Sequence, residues 1–324
     1  MNDIPAEKCI KVSVVIPAYN AGSIIQATLE SVLRQTLPPY EILVMNDGST
    51  DNTASVLNSY MPRVRVLHQE NKGVAAARNA LCANALGDLV AFLDQDDIWH
   101  PKYLELQRES FAAYPAANAF FTWHVNFEGY GDYQWKVDPA ESAPALELIG
   151  PLQFLRRYNE KTGHFASMSY CCVPKKVLST MGKEPFRLSG VDDSYFCTTL
   201  PLYGAVVYNP LALVAYRVTS TAQSVNRLKM FGLWVRVFEL LEERYKMEAG
   251  RQLRKQFRIA FASKKRQYGK LLMAAGRDSE AREQFLQSAG NSSIPSSVAK
   301  SITLLLSSYM PSPLQPKWPP LYRQ

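Results

Sequence analysis

No stretch of the 324-residue chain reaches the roughly 18 uninterrupted apolar positions of a membrane-spanning helix. The N-terminal "MNDIPAEKCIK" carries acids and no apolar run, so it does not read as a secretory signal. Cysteine is scarce. Cys9, Cys82, Cys171, Cys172 and Cys197 are odd in number and show no CxxC or Cys/His spacing, which argues against a disulfide framework or a zinc site and fits reduced thiols in a cytoplasmic protein. The histidines, His68, His100, His124 and His164, are scattered and read as ordinary surface or core residues. No Gly-rich basic loop of the GxGTR kind follows the first apolar run, where a nucleotidyltransferase would be expected to carry one; "PAYNAGS" stands there.

What is present is enough for a full core, at 47% hydrophobic content and a length beyond one typical domain. The formal charge of +7 is unevenly spread: residues 1–225 hold 18 basic and 22 acidic side chains, residues 226–324 hold 18 basic and 7 acidic. Such asymmetry suggests two regions with different partners.

Apolar runs rich in Val and Ile alternate with segments of helical spacing. "CIKVSVVIPAYN" reads as a strand, Ser23–Gln35 as a helix, "YEILVMND" as a strand, Ala54–Tyr60 as a helix, "RVRVLHQEN" as a strand, "KGVAAARNALCANAL" as a helix and "DLVAFLD" as a strand. Strand–helix alternation with short loops predicts a parallel α/β sheet covered by helices, which binds ligands at the carboxyl ends of its strands. "PAYN", "NDGSTD" and "DQDD" all fall at those ends. A helix near Lys102–Ala113 follows; residues 126–165 lack clean periodicity; "FASMSYCCVPKKVL" reads as strand plus helix start, and "AVVYNPLALVAYRV" as one or two strands. From Leu228 to Gln287 the pattern is helical and basic. "YGKLLMAAGRDSEAREQFLQSAG" reads as two helices broken at Gly276, like a single tetratricopeptide-type hairpin, and the chain ends in a helix and a Pro-rich tail.

The acids of "LVAFLDQDDIWHP" pose a physical problem. Asp94, Asp96 and Asp97 crowd where a buried strand surfaces, and each resists ionising beside the others. In extended backbone Asp94 and Asp96 project to the same side, and two hard oxygen ligands with open positions suit Mg²⁺ or Mn²⁺ shared with substrate phosphates. An acidic cap for the helix near Pro101 is the alternative, suited to Asp97. Lys72 and Gly73, before a helix that contains Arg78, suit an anion such as a diphosphate. Asp47, just past a strand and followed by Gly48, fits an Asx-turn made by itself or by Asp51, while Glu41 opens that strand and reads as structural.

"VSVVIPAYN", "EILVMNDGSTDNT", "NKGVAAARNA", "FLDQDD" and "GVDDSYF", in this order and spacing, resemble family 2 glycosyltransferases of the GT-A fold, closely over residues 11–100 and less so at the fifth element. The resemblance implies an α/β, Rossmann-like, mostly parallel sheet flanked by helices, with a C-terminal helical extension. It gives a catalytic domain at 1–225 (nucleotide-sugar half 11–115, acceptor half 116–225) and hardly reaches the tail, which its own helical and basic pattern divides into an extension at 226–290 and the helix and tail at 291–324. It implies inverting, metal-dependent transfer from a nucleotide sugar, UDP-linked, to a hydroxyl of a glycan, glycolipid or other acceptor. Asp96 would be the direct metal ligand, with Asp94 leaning toward ribose or a metal-bound water. Asp47 would accept the imide N–H of uracil; Pro17, Ala18, Tyr19, Asn20, Gly48, Lys72, Gly73, Arg78 and Gln95 would surround the nucleotide; Arg217, in "YRVTSTAQS", would close over the diphosphate. Asp193 would be the base, with Asp192 the runner-up. Trp123 and His124 stand as acceptor candidates. The rival reading is a catalytically silent nucleotide-sugar-binding scaffold acting through its helical tail.

The tail has a reading of its own. Met230, Leu233, Trp234, Val237, Leu240 and Leu241 recur at helical spacing among Lys and Arg, a pattern suited either to an anionic membrane surface, and hence to peripheral association and a lipid-linked acceptor, or to packing on the protein itself. No motif points to nucleic acid.

Overall fold

The computed structural model describes residues 10–129, 131–135, 145–160, 166–218, 226–291 and 295–310. His164 and the Pro-rich end lie outside the described residues. Two compact units emerge: Met1–Gly150, Gly163–Phe196 and Tyr203–Thr219 form the first; Pro151–Thr162, Cys197–Leu202 and Ser220–Gln324 form the second.

In the first unit, β1 (Val12–Ala18) is buried along its whole length, and its Val14–Ile16 run suits a strand covered on both faces. It pairs in parallel with β2 (Glu41–Asp47) on one side and β4 (Leu89–Phe92) on the other, while β3 (Arg65–Gln69) extends β2 in parallel. Helices α1 (Ile25–Leu33), α2 (Thr53–Asn58) and α3 (Val74–Asn84) are the crossovers. The chain thus departs from β1 toward β2 and β3, then returns to β1's other edge as β4. That reversal opens a crevice at the strands' carboxyl ends, where such sheets bind ligands. Val14, Ile16, Val44, Ala91, Ile25 and Leu29 belong to the core beneath it. Ser13, polar within the buried strand, donates its hydroxyl to Glu41 Oε1 at 2.6 Å and accepts from the Gly87 amide at 2.8 Å. Glu41 also accepts from the Leu86 amide, which gives it the structural role expected of it.

Beyond β4 the sheet mixes directions. It runs β3-β2-β1-β4-β8-β6-β9-β5, with β7 (Glu147–Ile149) on β9; β5 is Ile98–Trp99, β6 Phe120–Phe127 and β8 Cys171–Pro174. "AVVYNPLALVAYRV" forms a single strand, β9 (Val206–Arg217), despite Pro210. The register against β6 slips between Thr122 and His124, so Pro210, which has no N–H to give, sits at an irregularity. Helix α4 (Tyr103–Ala113) follows β5, α5 (Pro151–Glu160) follows β7, α6 (Lys175–Thr180) follows β8, and α7 (Asp192–Thr199) precedes β9.

The second unit contains α8 (Arg227–Glu248), α9 (Arg251–Ala274), α10 (Asp278–Asn291) and α11 (Pro295–Ser307). The break at Gly276 is a Schellman turn: φ is +73°, the Gly276 amide reaches the Met273 carbonyl at 3.0 Å and the Arg277 amide reaches Leu272 at 2.8 Å. Gly269 lets the aromatic ring of Phe285 approach so closely that a β-carbon there would lie 2.5 Å from it.

The apolar stripe of α8 is partly covered within this unit, Met230, Leu233, Trp234 and Leu240 staying half-buried. Val237 and Leu241 are buried, together with Phe231, Val235, Phe238 and Tyr245 that the spacing argument left out. Phe238 stacks on Phe261 at 5.5 Å and Tyr245 on Phe257 at 4.0 Å, both partners from α9. No helix among the described residues is long and apolar enough to cross a membrane. The described cysteines, Cys82, Cys171, Cys172 and Cys197, are buried and form no disulfide.

Candidate active site

Two loops at the carboxyl edge of the sheet are stitched to each other. After β1, Asn20 adopts φ +48° and its amide donates to Ser49 Oγ at 3.0 Å, while its own Oδ1 accepts from the Thr50 amide at 2.8 Å. The Ala21 amide donates to Thr53 Oγ1 and the Gly22 amide to Asp51 Oδ2. Asp51 makes the Asx-turn into α2, accepting from the Thr53 amide at 3.0 Å.

Asp47 is therefore released from that turn. It is buried, and its carboxylate reaches across to the loop before α3: Oδ1 accepts from Gln69 Nε2 at 2.6 Å and the Lys72 amide at 2.9 Å, and Oδ2 from the Gly73 amide at 2.9 Å. Gly48 and Gly73, flanking this contact, have φ +71° and +83°. Asn79, inside α3, clasps the backbone of Phe186 in both directions, at 2.8 and 3.0 Å.

Gln95 clasps Tyr19 in the same manner. Its Oε1 accepts from the Tyr19 amide at 2.7 Å and its Nε2 donates to the Tyr19 carbonyl at 3.3 Å, tying the ends of β1 and β4 together. Tyr19 stays 43% exposed at the crevice. Pro17 and Ala18 are interior strand residues, and the Lys72 side chain is exposed.

The acids separate into three environments. Asp97 is not a helix cap: α4 begins after Lys102, and Asp97 is buried, its Oδ1 accepting from the Arg217 amide at 2.9 Å. Burial first, then the charges of Asp96 and Asp94, hold its proton affinity well above the carboxylate range. Asp94 and Asp192 share Arg78, whose Nη2 pairs with Asp94 Oδ1 and Nη1 with Asp192 Oδ2, the Arg78 and Asp192 side chains being almost wholly buried. Asp96 and Asp193, both partly buried, form no ion pair among the described residues. Each is pushed up to about 6, Asp96 by burial and then by the charge of Asp94, Asp193 by burial and then by the charge of Asp192.

Arg217, expected over a diphosphate, lies buried beneath the acidic loop. Its Nε donates to the Asp96 carbonyl at 2.7 Å, Nη1 to the Gly129 carbonyl and Nη2 to the Gly131 carbonyl at 3.2 Å, and the guanidinium sits 4.4 Å from the centre of the Phe127 ring. Its position at the end of β9 thus anchors the Asp94–Asp97 turn. His124 is buried and stacks on Tyr170 at 4.6 Å, and Trp123 meets Tyr208 edge-on; both belong to sheet packing more than to an open acceptor face.

Three residues near the acids carried no signal in the sequence. Ser169 accepts from the Asp94 amide at 3.0 Å and, through its carbonyl, from Trp99 Nε1 at 2.9 Å. Tyr170 and Tyr216 have phenols pushed upward by burial first and then by the nearby carboxylates. All three arrive from strands and turns far along the chain.

The donor set bears on a metal. No group of three or more His, Cys, Asp or Glu side chains among the described residues converges as a cage. Asp96, without a cation partner, and the second oxygen of Asp94 offer two hard ligands and leave the rest of a coordination sphere open. That fits Mg²⁺ or Mn²⁺, which keep waters and substrate phosphates as ligands, and does not fit a structural ion held by protein alone.

Comparison with known proteins agrees with this architecture. TarS of S. aureus, residues 1–349 in complex with UDP-GlcNAc, superposes with a TM-score of 0.67 at 16% identity, covering 92% of this chain and 90% of that one. WfgD of Escherichia coli, a UDP-Glc:alpha-D-GlcNAc-diphosphoundecaprenol beta-1,3-glucosyltransferase, is 46% identical over 98 residues, 30% of this chain and 39% of that protein. The chondroitin synthase of Pasteurella multocida is 37% identical over 132 residues, 38% of this chain and 14% of that protein. The matches thus span well under half of these two curated relatives. Residues 13–182, more than half of the chain, match the sequence model of Glycosyl transferase family 2, and the chain belongs to that family.

Proposed function

We propose that the protein transfers a sugar, with inversion, from a UDP-sugar to a hydroxyl group of a glycan or lipid-linked glycan. The observation that carries the reading is the partition of charge made by Arg78. It pairs with Asp192 and with one oxygen of Asp94, and forms no ion pair with Asp193 or Asp96.

Asp193 is the base. A base needs an accessible lone pair and a proton affinity suited to the working pH, and burial beside Asp192 supplies the second by lifting Asp193 to about 6. As the acceptor oxygen attacks the anomeric carbon, Asp193 takes the hydroxyl proton; the new C–O bond forms on the face opposite the breaking bond to the diphosphate, and the configuration inverts. Asp192, held in its ion pair, does not compete for that proton. The uracil and ribose are assigned to the crevice between the ends of β1 and β2, with Tyr19 as the stacking face and Asp47 as the acceptor. Asp47 already holds the Lys72 and Gly73 amides, so its oxygens are oriented before the nucleotide arrives. Mg²⁺ or Mn²⁺, held by Asp96 and Asp94, would supply positive charge to the departing diphosphate. The name of WfgD favours a lipid-linked acceptor.

The test is a panel of UDP- and GDP-sugars, with and without Mn²⁺, scored by melting temperature and by release of free nucleotide. A UDP-sugar at about 100 times its Kd is expected to add about 2.7 kcal/mol of stability, only with the metal present, and to yield UDP when acceptor is added. Stabilisation without turnover on any acceptor would favour the silent scaffold; no response to any nucleotide sugar would overturn the assignment.

A further inference from the structure

The helical unit holds a cavity of about 480 Å³ between α9 and α11, lined among others by Arg266, Gln267 and Lys270 of α9 and by Lys300 and Thr303 of α11. No acid lines it. We infer that this pocket binds a phosphate group of a small phosphorylated molecule or of a lipid headgroup, at a site belonging to the helical unit alone.

The first argument is charge. Some cations on the neighbouring helices have acids one turn away: Arg236 with Glu239 at 3.0 Å, Arg244 with Glu248 at 2.9 Å, Arg277 with Glu280 at 2.6 Å. In the pocket three cations face one another. Neither Arg266 nor Lys300 has an acidic partner among the described residues, and Lys270 is shifted downward by burial first, then by the charges of Arg266 and Lys300. Like charges gathered in one partly buried place repel, and an anion between them removes the repulsion.

The second argument is the geometry of Arg266. Its Nη1 donates to Ser297 Oγ at 2.8 Å, Ser288 Oγ at 3.1 Å and Ser301 Oγ at 3.3 Å. Those hydroxyls are fixed in turn: Ser288 donates to the Ala262 carbonyl at 2.8 Å and Ser301 to the Ser297 carbonyl at 3.0 Å. One corner of the guanidinium is therefore anchored by α10 and α11, while Nε and Nη2 donate to no described residue. A planar fork with two open donors, already oriented, matches two oxygens of a phosphate. The Gln267 amide keeps a second N–H at the rim beside the one it gives to Ser263 Oγ at 3.2 Å, and the volume lies within the range of small-ligand sites.

The experiment uses the full chain in EDTA, titrated with inorganic pyrophosphate and followed by melting temperature and ³¹P line broadening. Phosphatidylcholine vesicles with and without phosphatidic acid form the second arm. The wild type is compared with Lys270→Gln/Lys300→Gln, whose changes lie at the cavity rim, and with Arg266→Lys, which keeps the charge and loses the fork. Far-UV circular dichroism and melting temperature without ligand check folding. Pyrophosphate binding at least tenfold weaker in the double variant supports a small phosphorylated ligand. Binding to phosphatidic acid vesicles alone, lost in the double variant, supports a headgroup. Undiminished binding in the variants, or no binding to either probe, overturns the proposal.

Discussion

Arg78 Nη1 meets the carboxylate of Asp192, a residue 114 positions later in the chain, and both side chains are almost wholly buried. Arg78's other terminal nitrogen meets Asp94. One guanidinium thus ties helix α3 to the start of α7 and to the end of β4, and the two segments that carry the acids cannot shift independently. Arg78 had been expected to touch the nucleotide; in the structure it is the strut on which the acids are mounted.

That strut distinguishes the two members of the pair. Asp193→Asn is expected to lower transfer by about 10²–10⁴-fold with UDP affinity nearly unchanged, because the base acts on the acceptor. Asp192→Asn is expected to lower melting temperature, since removing one partner of a buried ion pair costs about 3–5 kcal/mol, and to retain measurable turnover at low temperature. Initial rates and thermal melts on both variants decide it. An inactive Asp192→Asn beside an active Asp193→Asn would reverse the assignment.

Asp96→Ala is expected to abolish metal-dependent UDP binding while melting no lower than the wild type without ligand, because the variant removes a partly buried carboxylate that has no cation partner among the described residues. Calorimetric titration of UDP with and without Mn²⁺ is the measurement. Full metal-dependent affinity in the folded variant would exclude Asp96 as a ligand.

A pH dependence follows from the same environment. Asp96 and Asp193 are pushed up to about 6, above the value of about 4 an unfolded chain gives them. The folded state therefore keeps their protons where the unfolded state has released them. Their contribution to stability is complete below about pH 4 and is lost as pH rises through 6. Without ligand, these two groups make the protein more stable at pH 5 than at pH 7.5. Metal-dependent stabilisation by UDP should run the other way, since a ligating carboxylate must be ionised, and should fade below about pH 6. Melting curves across this range, with and without UDP and Mn²⁺, would show the two trends crossing; parallel curves would contradict it.

Much of this was legible in the chain. The alternation from Val12 to Phe92 announced the parallel half of the sheet because fully buried strands need unbroken apolar runs, and the polar clusters marked its carboxyl edge. The roles of Gln95, Asn20 and Arg217 were not legible. Each is polar and sits in a motif, and a motif does not reveal whether a side chain faces a ligand or a neighbouring loop. Gln95 clasps Tyr19, Asn20 reaches Thr50, and Arg217 holds three carbonyls. The apolar spacing of α8 likewise indicated a face without saying what covers it; the aromatics of α9 do.

Three glycines separate steric from conformational cost. Gly48, Gly73 and Gly276 have φ of +71°, +83° and +73°, so alanine is strained at each by about 1–3 kcal/mol, and at Gly73 a ψ of +163° puts the backbone where essentially only glycine is found. What a β-carbon meets differs. At Gly276 there is nothing within 4 Å; at Gly73 it lies 2.5 Å from Ser189 Oγ, a side-chain atom that can turn away; at Gly48 it lies 2.6 Å from the Asn71 backbone nitrogen, which cannot. Gly276→Ala is therefore expected to cost only the conformational term. Gly73→Ala adds the displacement of Ser189 Oγ, which accepts from the Ala75 amide at 3.3 Å, and Gly48→Ala adds the clash with the Asn71 backbone, so both are expected to cost more than Gly276→Ala. Function should follow the same order, because moving the 71–73 loop pulls the Lys72 and Gly73 amides from Asp47. Denaturant melts of the three variants, paired with UDP titrations, test both parts. Equal destabilisation at all three positions would sink the steric argument, and intact UDP affinity in a folded Gly48→Ala protein would detach Asp47 and its loop from the nucleotide.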